Sequence, residues 1–178
     1  MEIIDNLQNL KNLDGRSVVT IGNFDGVHAG HRELINEALA LANVNNMNPV
    51  VLTFDPLPEE FFERKGFFKL MPIADKLEYF RKAGIKTVIK IPFSKKFSET
   101  SAPTFIQEIL INKLQTKYLI VGEDFKFGRN REGNYNTLSN EKKFKTKIVS
   151  VIKDSDMKIS SSMIRDLIAA GDIEKANS

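Results

Sequence analysis

The sequence predicts an α/β fold, a parallel sheet with helices on both faces, organised as one domain over residues 1–178. Three observations carry this prediction. Short apolar, β-branched runs alternate along the chain with segments of helical period. The length and a hydrophobic content of 42% against 28% charged supply a core of ordinary size for one soluble domain. No repeat, low-complexity tract or linker interrupts the alternation, so right-handed crossovers between parallel strands follow.

The elements read in order. Residues 1–15 suggest a short strand and a turn. The run VVTI at 18–21 is a buried strand by its β-branched content. A loop bearing Gly22, Gly26 and Gly30 follows, and RELINEALALA at 32–42 is a helix by pattern and propensity. NVNNMN at 43–48 reads as a polar turn whose residues tolerate unusual backbone angles. PVVLTF at 49–54 is a second buried strand, and Pro56 and Pro58 stiffen the loop beyond it. Residues 74–84 form an amphipathic helix closed by Gly84. KTVIKI at 86–91 is a third strand, 92–103 a connector, and 103–114 a helix with Pro103 in its first turn. A fourth strand is expected at 118–121 and a short polar helix within 134–145. TKIVSVIK at 146–153 alternates like a strand. ISSSMIRDLIAA at 159–170 is a helix with serines at its N-cap, stopped by Gly171.

Composition removes several function classes. The absence of cysteine excludes disulfides, thiol nucleophiles and thiolate metal sites, and it suits a reducing cytoplasm. The stretch after Met1 has neither a basic n-region nor an apolar h-region, so no signal peptide is expected. No apolar run approaches the ~20 residues that span a bilayer, which argues against a membrane partner. A net charge of +3 with scattered lysines indicates a solvated surface rather than a nucleic-acid interface.

The chemistry gathers at 17–31. His28 and His31, the two histidines of the chain, lie in the loop that opens the first long helix. A strand, a glycine-bearing loop and a helix in that order build an anion site, because the first helical N–H groups lack partners. The loop is neither a G-x-x-x-x-G-K-[ST] nor a G-x-G-x-x-G phosphate loop. It offers H-x-G-H: two imidazoles that donate to a phosphate whose charge grows during transfer, with Gly30 keeping the backbone open between them. Each histidine taken alone also reads as a partly exposed polar residue at a helix start. Arg165 sits near the start of the last helix with no acid before Asp166. Such a cation beside unpaired N–H groups makes sense when an anion lies between them; snorkelling to solvent is the alternative. In GEDFKFGRNREG at 122–133, Glu123 and Asp124 beside Lys126, Arg129 and Arg131 also fit a salt-bridged surface loop.

GNFDGVHAGH at 22–31 resembles the HxGH signature of the nucleotidyltransferase superfamily. Its flanks resemble the FMN adenylyltransferase (FAD synthetase) module of the prokaryotic bifunctional riboflavin kinase/FMN adenylyltransferases. FDPLP at 54–58 is similar to that family's F-x-P-x-P, GEDFKFG at 122–128 to its G-x-[DN]-F-x-F-G, and ISSSMIR at 159–165 to its I-S-S-[ST]-x-I-R. The resemblance runs from Val18 to Asn177. It implies a Rossmann-like nucleotidyltransferase fold and transfer of AMP from ATP to FMN, giving FAD and pyrophosphate. Magnesium would be bound mainly through the ATP phosphates, with no protein metal cage.

By the same resemblance, His28, His31 and Arg165 are catalytic. ATP would meet Gly22, Asn23, Phe24, Asp25, Gly30, His31, Ser161, Ser162 and Arg165. The flavin would meet Phe54, Pro56, Pro58, Phe62, Asp124 and Phe127, with Phe62 walling the isoalloxazine ring. Leu57 stands where members often carry histidine and Met163 where arginine is frequent, so a contact is missing at each. Asp25 reads either as a water-mediated magnesium ligand or as a brace of its turn. Lys126, Arg129 and Arg131 read either as phosphate contacts or as solvation of their loop. A riboflavin kinase domain follows this module in the bifunctional family, so riboflavin phosphorylation is not expected of these residues. Two other readings compete: an HxGH enzyme with another acceptor (pantetheine phosphate, nicotinamide mononucleotide or a cytidylyl acceptor), and a flavin- or nucleotide-binding module without turnover. The F-x-P-x-P and GEDFKFG stretches tell against the first; intact His28, His31, Ser162 and Arg165 tell against the second.

Overall fold

The computed structural model describes residues 1–8, 10, 13, 15–150, 153–154 and 157–177. Six strands form one sheet: β1 (Glu2–Ile4), β2 (Ser17–Ile21), β3 (Asn48–Phe54), β4 (Thr87–Ile91), β5 (Thr116–Gly122) and β6 (Lys145–Val149). Their order is β1-β4-β3-β2-β5-β6, and every neighbouring pair is parallel. The helices are α1 (Ala29–Asn45), α2 (Pro58–Phe61), α3 (Ile73–Ala83) and α4 (Lys95–Ser98), then α5, α6 (Tyr135–Ser139), α7 (Ser161–Ala169) and α8 (Ile173–Asn177). Helix α5 starts as Ala102–Thr104 and continues over Phe105–Lys113 with the wider π winding, the Leu114 N–H donating to the Ile109 carbonyl at 2.9 Å. A small antiparallel pair, β7 (Lys153–Asp154) with β8 (Met157–Lys158), stands outside the main sheet.

Both faces of the sheet are buried, which is why its strands read as continuous apolar runs. Val19, Ile21, Val50, Leu52, Ile89, Ile91, Leu119 and Val121 project to one face, against Phe105, Ile106, Ile109 and Leu110 of α5. The residues between them, Val18, Val51, Val88 and Ile120, project to the other. There they meet Leu34, Ile35, Ala38 and Ala42 of α1 and Phe80 of α3. The period of two along each strand therefore separates two cores, and helices cover both faces as expected.

The structure revises several boundaries. Residues 43–45 continue α1 rather than starting the turn, and Asn46 ends the helix alone at φ 50°, ψ 51°. The 92–103 connector contains α4, whose N-cap Ser94 side chain accepts from the Phe97 N–H at 3.2 Å. The strand expected at 146–153 stops at Val149; residues 151–152 lie outside the described residues, and Lys153 belongs to the small pair.

The loop after β5 is clamped to the start of α5. The Arg129 N–H donates to the Thr100 carbonyl at 2.8 Å, and Glu132 accepts from the Ala102 N–H at 2.8 Å. Gly128 makes this approach possible: its φ of 75° and ψ of 172° lie in a region that is essentially glycine's own. A Cβ there would stand 2.7 Å from the Ala102 nitrogen. Gly171 has a similar φ of 79° but faces open space. Gly171→Ala is therefore expected to cost about 1–2 kcal/mol from backbone strain alone. Gly128→Ala should cost clearly more in urea unfolding; equal losses would show that the clamp yields without resistance.

Candidate active site

From β2 the chain moves outward through β3 and β4, then returns to place β5 on the opposite side of β2. Open parallel sheets bind ligands beyond the carboxyl ends of their strands at such a reversal. A cleft of ≈ 1010 Å³ lies there, lined by the terminal residues Ile21, Phe54, Gly122 and Val149. Other segments that line it are the loop after β2, the start of α1, α2 and the residues just after it, the stretch from Phe93 to Phe105, the 122–131 loop and the start of α7.

The loop after β2 is held in an unusual shape. Phe24 and Val27 have φ of 49° and 40°, uncommon for any residue with a Cβ and rarer still for a β-branched one. Asp25 anchors it from within, its carboxylate 1% exposed. That carboxylate accepts from the Leu70 N–H at 3.0 Å and the Met71 N–H at 3.1 Å, and it pairs with the Arg165 guanidinium. The Asn23 carbonyl accepts from the buried Lys76 ammonium at 2.7 Å and the Thr53 hydroxyl at 3.3 Å. With the backbone fixed in this way, His28 becomes the N-cap of α1. It makes no side-chain cap, and no acid occupies the first turn. The opening N–H groups of a 17-residue helix are thus left for a ligand at the cleft, where Gly30 and His31 form part of the wall.

His28 and His31 stack with ring centroids 3.7 Å apart and planes at 23°. A Cβ at position 30 would press on the His28 ring at 3.3 Å, so glycine there gives the ring its room. Burial, then the neighbouring His28 and the Lys76 charge, hold the His31 imidazole down at about 2, so it is neutral at physiological pH. Its Nδ1 is buried with no hydrogen-bond partner among the described residues. Phe24 lies behind His31 at 5.3 Å and against Phe80 at 5.4 Å, fully buried. The expectation that Phe24 meets the nucleotide is therefore corrected: its ring supports His31 from the core.

Ser160 is the N-cap of α7, its side chain accepting from the Met163 N–H at 3.2 Å. Ser161 donates to the Asp25 carbonyl at 2.8 Å, and exposed Ser162 lines the cleft. Arg165 also lines it, but its guanidinium is engaged three ways: with Asp25, with the Phe68 carbonyl at 2.7 Å, and over the Phe67 ring at 4.5 Å. One anion beside Arg165 is the chain's own Asp25. Of the two roles read for Asp25, the geometry shows the brace, since its oxygens are taken by two N–H groups and a guanidinium. Among the described residues no group of three His, Asp or Glu side chains is placed to hold a metal.

The far side of the cleft is aromatic. Phe54, Pro58 and Phe62 line it, Phe62 being 62% exposed; Pro56 stands outside the lining, and Leu57 is buried. Phe93 is the hub the sequence did not reveal, with its ring 5.6–5.8 Å from those of Phe54, Phe61, Phe62 and Phe97. It follows β4 in the stretch read as a plain connector. Phe127 stacks on Phe125 at 5.6 Å and 14°, and both line the cleft with Phe105. Asp124 folds back over Gly122, where a Cβ would meet its carboxylate at 3.3 Å. Lys126, Arg129 and Arg131 line the rim and are exposed. Asn23 connects the two sides, its side-chain amide donating to Glu59 of α2 at 2.9 Å.

A neutral buried His31 makes folding sensitive to acid. Its folded pKa lies below its unfolded value of 6.5, so the unfolded chain takes up the extra proton. Stability is then full above pH 6.5 and falls below it, approaching about 1.4 kcal/mol per pH unit from this group. His31→Asn should flatten that acid limb in chemical unfolding; an unchanged slope would show that the imidazole is solvated.

A family model described as FAD synthetase matches residues 10–163. The chain is 39% identical over 181 residues to the bifunctional riboflavin kinase/FMN adenylyltransferase of Buchnera aphidicola subsp. Schizaphis graminum, across 99% of this chain and 58% of that protein. It is 33% identical to the protein of the same name from Escherichia coli K12, across 100% of this chain and 58% of that one. The chain thus spans less than two thirds of the length of these curated relatives. A solved structure described as a macrolide-efflux protein from Streptococcus pneumoniae has a TM-score of 0.86 at 28% identity, over 98% of this chain and 59% of that one. A pantoate-β-alanine ligase from Francisella tularensis has a TM-score of 0.54 at 15% identity, over 99% and 77%, and shares the fold alone. No helix among the described residues is long and apolar enough to cross a membrane. With a family model matching most of its length and relatives matching nearly all of it, the chain belongs to the FAD synthetase family.

Proposed function

We propose that these residues act as one FMN adenylyltransferase domain, working in the cytoplasm and converting ATP and FMN to FAD and pyrophosphate. The observation that carries this reading is the joining of a helix-N-terminal anion cradle and an aromatic pocket in a single cleft at the sheet reversal. Adenylyl transfer needs those two subsites and little else. An FMN phosphate oxygen attacks the α-phosphorus of ATP, a new P–O bond forms, and the bond to the β-phosphate bridge breaks as pyrophosphate leaves.

The residues supply alignment and charge stabilisation rather than covalent help. His28, His31 and the first N–H groups of α1 face the α-phosphate, where negative charge grows. A neutral imidazole in a preformed stack donates a hydrogen bond without having to shed water at the moment of reaction. Ser161 and Ser162 at the start of α7 meet the β- and γ-phosphates. Arg165 fixes α7 against the loop and turns part of its guanidinium to the same phosphates. Phe54, Phe62 and Phe93 enclose the ring system, with Asp124 and Phe127 at the junction of nucleotide and flavin. Magnesium enters as part of the Mg·ATP substrate and is held by its phosphates.

The direct test supplies Mg·ATP with FMN in one reaction and with riboflavin in another, following FAD and released pyrophosphate. FAD from FMN, with no FMN formed from riboflavin, is the expected result. Tight FMN binding without FAD would instead identify a binding module, and the absence of both turnover and flavin binding would point to another phosphorylated acceptor. His28→Ala and His31→Ala are each expected to lose on the order of 10²–10³ in kcat with the fold intact. Arg165→Ala should weaken ATP more than FMN in binding titrations; equal weakening would confine Arg165 to its contacts with Asp25 and Phe68.

A further inference from the structure

Lys76 lies on α3, one turn before Phe80 on the same buried face, and is 1% exposed. Lysine is almost never fully buried without a reason, because removing an ammonium from water is expensive. Its Nζ donates at 2.7 Å to the Asn23 carbonyl, one residue beyond the glycine that follows β2. That carbonyl already has the Thr53 hydroxyl at 3.3 Å, so a neutral donor exists for it without any charge. Asp25, the nearby buried carboxylate, already has Arg165 and two backbone donors. The positive charge of Lys76 is therefore more than its nearest neighbours require.

We propose that Lys76 is a positioning residue for the phosphate site: it fixes Asn23 from beneath and projects positive charge through the loop toward the His28–His31 pair. The inference rests on the reading of residues 22–31 as a phosphate cradle. Asn23 is well placed to transmit it, because its carbonyl is held from the α3 side while its side chain reaches Glu59 of α2. The titratable groups whose charge couples to Lys76 are Asp25 and His31 of the loop and α1, Asp55 after β3, Glu60 of α2 and Lys69. Burial, offset in part by the three acids, leaves its ammonium at about 8. It is accordingly charged at neutral pH and discharges just above, unlike a surface lysine. The same charge is one of the causes that keep His31 neutral.

The test uses Lys76→Met, of similar length and without charge, alongside Lys76→Arg, which keeps the charge. With two histidines in the chain, the two ring signals can be followed separately by NMR. In the parent protein the His31 signals should move in a step centred near 8 as Lys76 discharges, and the step should vanish in Lys76→Met. Inorganic pyrophosphate should bind the Met variant roughly tenfold more weakly at neutral pH. That gap should close above the Lys76 midpoint, where the parent is neutral too, and Lys76→Arg should restore binding. A folded Lys76→Met with the step intact overturns the proposal. So does an affinity gap that stays constant with pH, which marks a mere prop. If the Met variant does not fold, absence of the step in the parent overturns the proposal alone. Neither readout requires flavin or turnover, so a failed adenylyl-transfer assay leaves this test standing.

Discussion

The site depends on one buried carboxylate. Asp25 ties three segments that the chain brings from far apart: its own loop, residues 70–71, and α7, the last through Arg165 on its carboxylate and Ser161 on its backbone carbonyl. Each partner supplies a donor, so the carboxylate is satisfied without water and its burial becomes tolerable. Remove the charge and two backbone N–H groups and a guanidinium lose their common acceptor together. The two stretches that carry the nucleotide motifs, 22–31 and 159–165, share this single knot. Their mutual geometry is therefore fixed before any substrate arrives.

The same knot explains why the loop can stay strained. Positive φ at Phe24 and Val27 costs free energy that only surrounding contacts can hold in place. Phe24 contributes by filling the core between His31 and Phe80, Asp25 by its donors, and the Asn23 carbonyl by Lys76 and Thr53. Strain at this point aims α1 so that its uncapped N-terminus and stacked histidines border the cleft. Across the cleft the material changes from polar loop to packed rings, and Asn23–Glu59 spans the two. The division matches a ligand with a phosphate chain at one end and a flat heterocycle at the other.

Much of this architecture was legible because its signals are local. β-Branched runs marked β2 to β5, and Gly84 marked the end of α3 at φ 98°. The HxGH and serine-rich helix starts stood out because helix N-termini follow from residues next to one another. What stayed hidden were long-range pairings. Arg165 looked like a cation awaiting an external anion, since nothing in sequence shows that Asp25 lies against it. Phe24 sat inside a motif and was read with it, whereas its orientation follows from packing on Phe80. Lys76 looked like one more polar position of an amphipathic helix, and only the placement of Asn23 above it gives it a role. Phe93 was missed because aromatic residues are far more often core than lining, and its neighbours in space lie on three other segments.

These pairings also decide what kind of charge the cleft presents. Arg165 is largely neutralised by Asp25, His31 is neutral, and the rim cations are exposed to solvent that screens them. On the proposed reading, the fixed attraction for an anion comes from helix N–H groups, the Ser162 hydroxyl and the buried Lys76 ammonium. Such donors are oriented by the fold and weaken little with salt, but they do not add up to a strong free cation. A polyphosphate that arrives with its own divalent counterion suits that arrangement better than a bare one. Under the proposed adenylyl transfer, the cleft would otherwise leave several negative charges uncompensated, while a cluster of fixed arginines would hold a departing pyrophosphate too well. A modest, preorganised field favours charge that shifts during transfer over charge that merely sits there.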